Sequence, residues 1–226
     1  FLLFAVGGGL AQILATVCVI LVFKSRNFAV GITLKKTEVI LTALVGLILI
    51  GEGVSTISMF LICLGGAGVF FLSKKVSSVD RSNFSILNKS AVYGLLSGLL
   101  FAISAVCYRS ATLSVVSDLV YLRAGFTLLI VILSQSFVMT IWLALFEPGQ
   151  IKLVWFERKK GFWVGVTSLG GSFFWFTAFT LQNAAYVKAV GQIELIFSLL
   201  ITTLFFKERI LNREILGMLL IGISAL

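Results

Sequence analysis

The chain has 226 residues, of which 59% are hydrophobic, 12% are charged and none is histidine, with a formal net charge of +9. Its mean hydropathy is +1.12, and a charge content about half the ~25% of an ordinary soluble domain excludes a solvated globular surface. The missing His removes the zinc helix, the Ser-His and Cys-His nucleophile pairs and proximal-His haem, so an enzyme is not expected, and neither a metal nor another cofactor is implied.

Apolar segments run over 1–23, 28–50, 54–73, 87–108, 118–146, 161–183, 185–206 and 211–226. Most are near the ~20 residues that cross a bilayer as a helix. Unbroken runs of that length argue against a transmembrane barrel, whose strands alternate over about ten residues. The expected fold class is therefore all-α, a polytopic transmembrane helix bundle of about eight spans. The Lys and Arg residues sit mostly in the connections, as anionic headgroups and positive-inside topology require. Membrane lipids are thus expected partners and nucleic acid is not.

In chain order, the first segment carries Gln12 and Thr16 inside an apolar run. Cys18, Cys63 and Cys107 lie singly in such runs and read as small packing residues. In the second segment Gly31, Lys35, Glu38, Thr42 and Gly46 recur at helical spacing and share one face. Lys36 lies on the far side, where it snorkels or contacts a neighbour. Glu52 falls at a helix end, where capping or loop packing is its expected role. The fifth segment begins with Asp118 and Arg123, either a structural pair or an Arg able to bind a carboxylate or phosphate.

The sixth segment holds Ser168 and Ser172 followed by Phe173, Phe174, Trp175 and Phe176. Trp175 is read as lining a cavity or facing lipid. In the seventh, Lys188, Gly191, Gln192, Glu194 and Ser198 form a broad polar face opposite Ile193, Phe197, Leu200 and Leu204. A charged residue at mid-membrane costs roughly 2.5–3.5 kcal/mol on insertion scales, so such residues turn toward the bundle interior or a wet cavity and mark transport paths. Two polar stripes imply a shared central cavity. Structural ion pairs fixing helix register are the competing explanation.

The chain also resembles itself. Asn27, Ala29, Glu38, Ile40, Leu44 and Glu52 recur as Asn183, Ala185, Glu194, Ile196, Leu200 and Glu208, each displaced by 156 positions. The matched segments, second and seventh, are separated by an odd number of spans, so the halves would run in opposite directions across the bilayer. That is the inverted-topology repeat common among secondary transporters. By the same offset Ser168 and Ser172 match Gln12 and Thr16.

These residues resemble the drug/metabolite transporter superfamily, specifically its EamA-type members, built of ten helices in two inverted five-helix repeats. That family often carries Glu-Pro in its fourth and ninth helices, followed by Gly-Glu near the helix end. Here Glu38-Val39 precedes Gly51-Glu52, and Glu194-Leu195 precedes Lys207-Glu208, so the glutamates match while both prolines and one glycine are replaced. Arg123, within Tyr121 to Phe126, and the small-residue run Gly65-Gly66-Ala67-Gly68 are also similar to the family's pattern. The resemblance implies that residues 1–73 are the last three helices of a first repeat and 87–226 a complete second repeat, with two helices preceding the sequence.

It further implies a secondary active transporter, a permease or exporter of small metabolites such as amino acids, working by alternating access without an ATPase of its own. The expected setting is a multi-pass protein of a bacterial inner membrane, as a monomer or homodimer. Glu38 and Glu194 are expected to exchange protons, while Lys35, Lys188 and Gln192 orient an anionic or zwitterionic substrate; Thr42, Ser198, Gln12, Trp175 and Arg123 complete the candidate substrate and ion site. A non-transporting membrane subunit, a channel and a lipid-headgroup flippase are the alternatives. Charge counting puts the carboxyl end outside, whereas the resemblance puts it in the cytoplasm, so orientation stays open.

Overall fold

The computed structural model of the chain describes residues 1–25, 28–73, 89–206 and 212–224. Among them are eleven helices and no strand. They are α1 (Leu2–Lys24), α2 (Phe28–Lys35), α3 (Glu38–Ile50), α4 (Thr56–Ser73), α5 (Lys89–Leu113), α6 (Val120–Phe146), α7 (Pro148–Phe156), α8 (Arg158–Leu181), α9 (Ala184–Gly191), α10 (Ile193–Phe206) and α11 (Asn212–Ser224). The connection from Lys74 to 88, part of the 156-position repeat (Asn27, Glu208) and Lys207 lie outside the described residues.

Five stretches are long and apolar enough to cross a membrane: Leu2–Lys24, Lys89–Leu113, Val120–Phe146, Arg158–Leu181 and Ala184–Ile201. Thr56–Val69 and Ile215–Ser224 are apolar but shorter. The expected second segment, 28–50, is two short helices rather than one span, and the seventh, 185–206, is likewise divided. A further short helix, α7, occupies the polar connection before the sixth segment, started by Pro148 in its first turn, where a missing N–H costs nothing.

Both divisions happen without proline. At the first, Lys36 N and Thr37 N bond back three residues to Thr33 O and Leu34 O, and the Thr37 hydroxyl adds a second bond to Leu34 O at 2.7 Å. At the second, Gln192 N bonds to Ala189 O and Leu195 N to Gln192 O, again over three residues. These tight turns, helped by a hydroxyl competing for a backbone carbonyl, end one helix and begin the next. The breaks fall at 36–37, immediately before Glu38, and at 192, two residues before Glu194.

Much of the interior around α5 is made of small residues, while many large apolar ones lie outside. α5 packs against α1, α2, α3 and α8, burying Ser90, Gly94, Ser97, Gly98, Ala102 and Ala105 along its length. A methyl group on Gly94 would fall on the Gly31 backbone of α2, and one on Gly98 would meet Lys35 O at 2.9 Å. Meanwhile Phe126, Leu133, Phe137, Trp142, Phe162, Trp163 and Phe174 are exposed on α6 and α8. Lipid is as apolar as Leu, so close contact between small residues holds helices together while bulky side chains face the acyl chains.

Gly94→Leu is expected to destabilise the bundle by about 2 kcal/mol or more through overpacking. Gly7→Leu, where a side chain meets open space, should leave the unfolding midpoint unchanged. Thermal unfolding in one detergent compares the two.

Candidate functional site

The first break starts α3 with Glu38, so its carboxylate sits in the opening turn of a half-helix, where the backbone dipole favours an anion. Glu38 is 8% exposed. Its carboxylate reaches Lys35 Nζ of α2 at 3.8 Å and Lys188 Nζ of α9 at 2.5 Å. The second contact spans 150 positions of sequence and ties the two broken helices together. Lys188 Nζ also lies 5.2 Å from the Trp175 ring and 5.9 Å from the Phe101 ring, and Lys35 Nζ lies 4.7 Å from Phe101. Ammonium groups over aromatic faces gain about 0.5–2 kcal/mol each, which lowers the cost of holding them in an apolar interior.

Beside this cluster is a cavity of ≈ 140 Å³. Lys188, Gln12, Ser104 and Ser172 supply its polar wall, and Phe101, Tyr108, Trp175, Phe176 and Phe179 its aromatic one. Gly191 makes room for the wall, since a methyl there would collide with the Trp175 indole. At the far side a polar network joins α1, α5 and α6. The Tyr108 hydroxyl donates to Gln12 Oε1 at 2.6 Å, and Gln135 Nε2 donates to the same oxygen at 2.8 Å and to Gly9 O at 3.2 Å.

A second ion pair closes the bundle near the ends of α3 and α8. Gly51 takes the left-handed conformation at φ 71° and Glu52 N bonds back to Gly46 O, a helix stop that glycine accommodates without strain. Glu52 thereby meets Arg109 Nε at 2.6 Å. The same guanidinium donates to Phe179 O at 2.7 Å, satisfying a carbonyl in the last turn of α8.

Several expected site residues lie elsewhere. Glu194 does not share a cavity with Glu38: its side chain is 67% exposed and pairs with Lys36 at 3.7 Å, because α10 presents its first turn outward. Gln192 is not beside Lys188 either. The turn at 192 swings it into a small crevice with Lys36, Val39 and Ile62, where its Oε1 is buried without a hydrogen-bond partner among the described residues. Thr42 is buried, but its hydroxyl donates to the Glu38 backbone oxygen rather than to the carboxylate. Ser198 is exposed on α10. Arg123 makes no ion pair with Asp118; it donates to Thr112 O at 3.0 Å and Leu113 O at 3.1 Å, fastening the end of α5 to α6.

Glu38, Lys35, Lys188, Gln12 and Trp175 are thus brought together. Phe101, Tyr108 and Gln135 also belong to the site, and Arg109, which follows the 87–108 apolar segment, lies inside α5 rather than in a connection. Gln135, a lone amide deep in the fifth segment, was the visible signal, because a polar group there must find a partner inside the bundle. Arg109 directly follows the 87–108 apolar run, and α5 continues past it to Leu113.

No family model matches the sequence, and no curated protein matches it. Solved structures do. One, described only as a crystal structure of a protein, superposes on 100% of this chain and 86% of its own with a TM-score of 0.63 at 14% identity, which shows a shared fold.

Arg109→Ala removes the Glu52 partner and strands the Phe179 carbonyl, and is expected to cost about 2 kcal/mol of stability. Arg158→Ala, at an exposed side chain, should change it by no more than about 0.5 kcal/mol. Denaturant unfolding of both variants in one micelle system makes the comparison.

Proposed function

We propose that the protein is a secondary transporter of a small metabolite, of the drug/metabolite type, in which two inverted repeats alternate around the cavity beside Lys188. The observation that carries this reading is the pair of proline-free helix breaks at 36–37 and 192, each opening a half-helix whose first turn holds Glu38 or Glu194. Broken helices with ionisable groups at the break are how transporters place substrate and ion sites near the membrane midplane. The breaks keep the 156-position spacing that relates the two halves of the sequence. The wall chemistry also supports transport: a few polar groups among aromatic side chains is the usual make-up of a small-molecule site.

In this reading Glu38, buried between Lys35 and Lys188, exchanges the proton, and amino acids are the first substrates to test. The inter-repeat contact Glu38–Lys188 holds the two halves in one arrangement, and neutralising Glu38 releases it. Glu194, exposed beside Lys36, has the smaller part. The expected setting is a bacterial inner membrane, and the span count follows the eight apolar segments, with the divided ones counted as single broken spans. A non-transporting membrane subunit would use the same ion pairs only to hold helices together.

Proton-driven uptake or counterflow of labelled amino acids in proteoliposomes, measured from acid to alkaline pH, tests the reading. Glu38→Gln is expected to lower the rate by about tenfold or more, the scale of one lost charge-assisted contact, and to flatten its pH dependence. Glu194→Gln should change the rate less than about threefold, as an exposed pair contributes little. No flux of any solute, or an unchanged pH profile in Glu38→Gln, rejects the proposal.

A further inference from the structure

The charges around the first helix break do not balance. Among the described residues, Arg109 is matched by Glu52 and Lys36 by Glu194, while Arg123 is held by carbonyl oxygens. Lys35 and Lys188, however, share the single carboxylate of Glu38. One positive charge is therefore left over in a cluster whose side chains are 28%, 11% and 18% exposed for Lys35, Glu38 and Lys188. The aromatic faces of Phe101 and Trp175 offset part of that charge. An anion would offset the rest, and buried cations are normally paired with one.

The cavity next to Lys188 has the donors to receive it. Gln135 directs its amide hydrogens to Gly9 O and Gln12 Oε1, and the Tyr108 O–H also points at Gln12 Oε1. These two donors fix which end of the Gln12 amide is oxygen. The Gln12 N–H groups are left with no protein acceptor among the described residues, and the Ser172 hydroxyl is in the same state, while both side chains line the cavity. Lys188 completes the set. The polar wall therefore offers amide hydrogens and a positive charge, its amide oxygen is already taken, and the Ser172 and Ser104 hydroxyls can each turn a hydrogen toward a ligand.

We infer that the cavity binds a carboxylate-bearing solute, its carboxylate on Lys188, Gln12 and Ser172 and its apolar body against Trp175 and Phe176. Glu38 is then the ligand's competitor for the Lys188 ammonium, not a partner for a ligand cation. This rests on reading the cavity as the substrate site of the transporter. Recognition by this donor set also sets the order of preference: carboxylate above the isosteric amide, and both above an amine, which meets the surplus positive charge.

Equilibrium dialysis of the protein in nanodiscs, with labelled benzoate, benzamide and benzylammonium at neutral pH, tests the inference. Benzoate and benzamide differ in charge and hardly in shape. Benzoate should bind at one saturable site and about tenfold or more tighter than either of the others, the scale of a charge-assisted hydrogen bond. Lys188→Gln should lose that advantage, Lys188→Arg should keep it, and Gln12→Leu should weaken benzoate by about threefold to tenfold. Glu38→Gln should tighten benzoate, since it frees Lys188. Thermal unfolding of each variant identifies any that fails to fold, and Lys188→Arg and Gln12→Leu then decide the matter. Benzylammonium binding as tightly as benzoate, weaker benzoate binding in Glu38→Gln, or no benzoate binding at all overturns the inference. Benzoate binding without flux of any solute rejects the transporter and leaves the carboxylate site standing. Flux of labelled solutes without benzoate binding does the reverse.

Discussion

A charge buried in an apolar bundle must find its counter-charge inside the bundle, because no water is there to solvate it. This constraint organises the structure around Glu38. Lys188 comes 150 positions along the chain to meet it, Lys35 reaches it from the preceding half-helix, and the aromatic rings of α5 and α8 stand where the two ammonium groups need electron density. The same requirement places Glu52 against Arg109 and Lys36 against Glu194. Apart from Lys35–Glu38, each of these pairs joins elements far apart in sequence, so the pairs fix tertiary arrangement as well as local structure. Removing one member of such a pair leaves an uncompensated buried charge, whereas replacing the whole pair with well-packed apolar side chains is often neutral or stabilising.

The packing of α5 makes the arrangement possible. Glycine and serine at Ser90, Gly94, Ser97 and Gly98 let α2 approach to backbone contact, which brings the first helix break against the middle of the bundle. A wider helix separation would move Lys35 and Glu38 away from Phe101 and open the cavity beside Lys188. The breaks themselves need only a short turn of three-residue hydrogen bonds, with Thr37 assisting at one and Gly191 preceding the other. Proline is one way to interrupt a helix. A side-chain hydroxyl that competes for the carbonyl three residues back is another, and it leaves the half-helix amino terminus equally open to a carboxylate.

The two breaks share a spacing in sequence but not an environment. At the offset of 156, Lys35 corresponds to Gly191, Lys36 to Gln192 and Lys188 to Ile32. Glu38 is therefore enclosed by two cations, while Glu194 has one and lies two-thirds exposed. Periodicity along each helix placed Lys188, Gln192 and Glu194 on one face. It could not foresee that the turn at 192 separates them, sending Lys188 to the cavity and Gln192 to a crevice lined by Lys36. Arg109 and Gln135 were legible as polar residues at the end of one apolar run and inside another, but their partners lie 57 and 123 positions away, beyond any local pattern.

Composition and apolar run length by themselves determined that this is an all-helical chain with helices able to cross a membrane, because burying backbone polar groups in an apolar medium leaves helices as the solution for unbroken runs of this length. They also identified which polar residues were out of place there, including Glu38, Lys35, Lys188 and Gln12. Tertiary structure alone decided which of these meet. Ion pairing and hydrogen bonding depend on distances of a few ångströms between side chains on different helices, and helix breaks, small-residue contacts and crossing helices set those distances. The cavity beside Lys188, with donors on one wall and aromatic rings on the other, exists only once four helices, α1, α5, α8 and α9, come together.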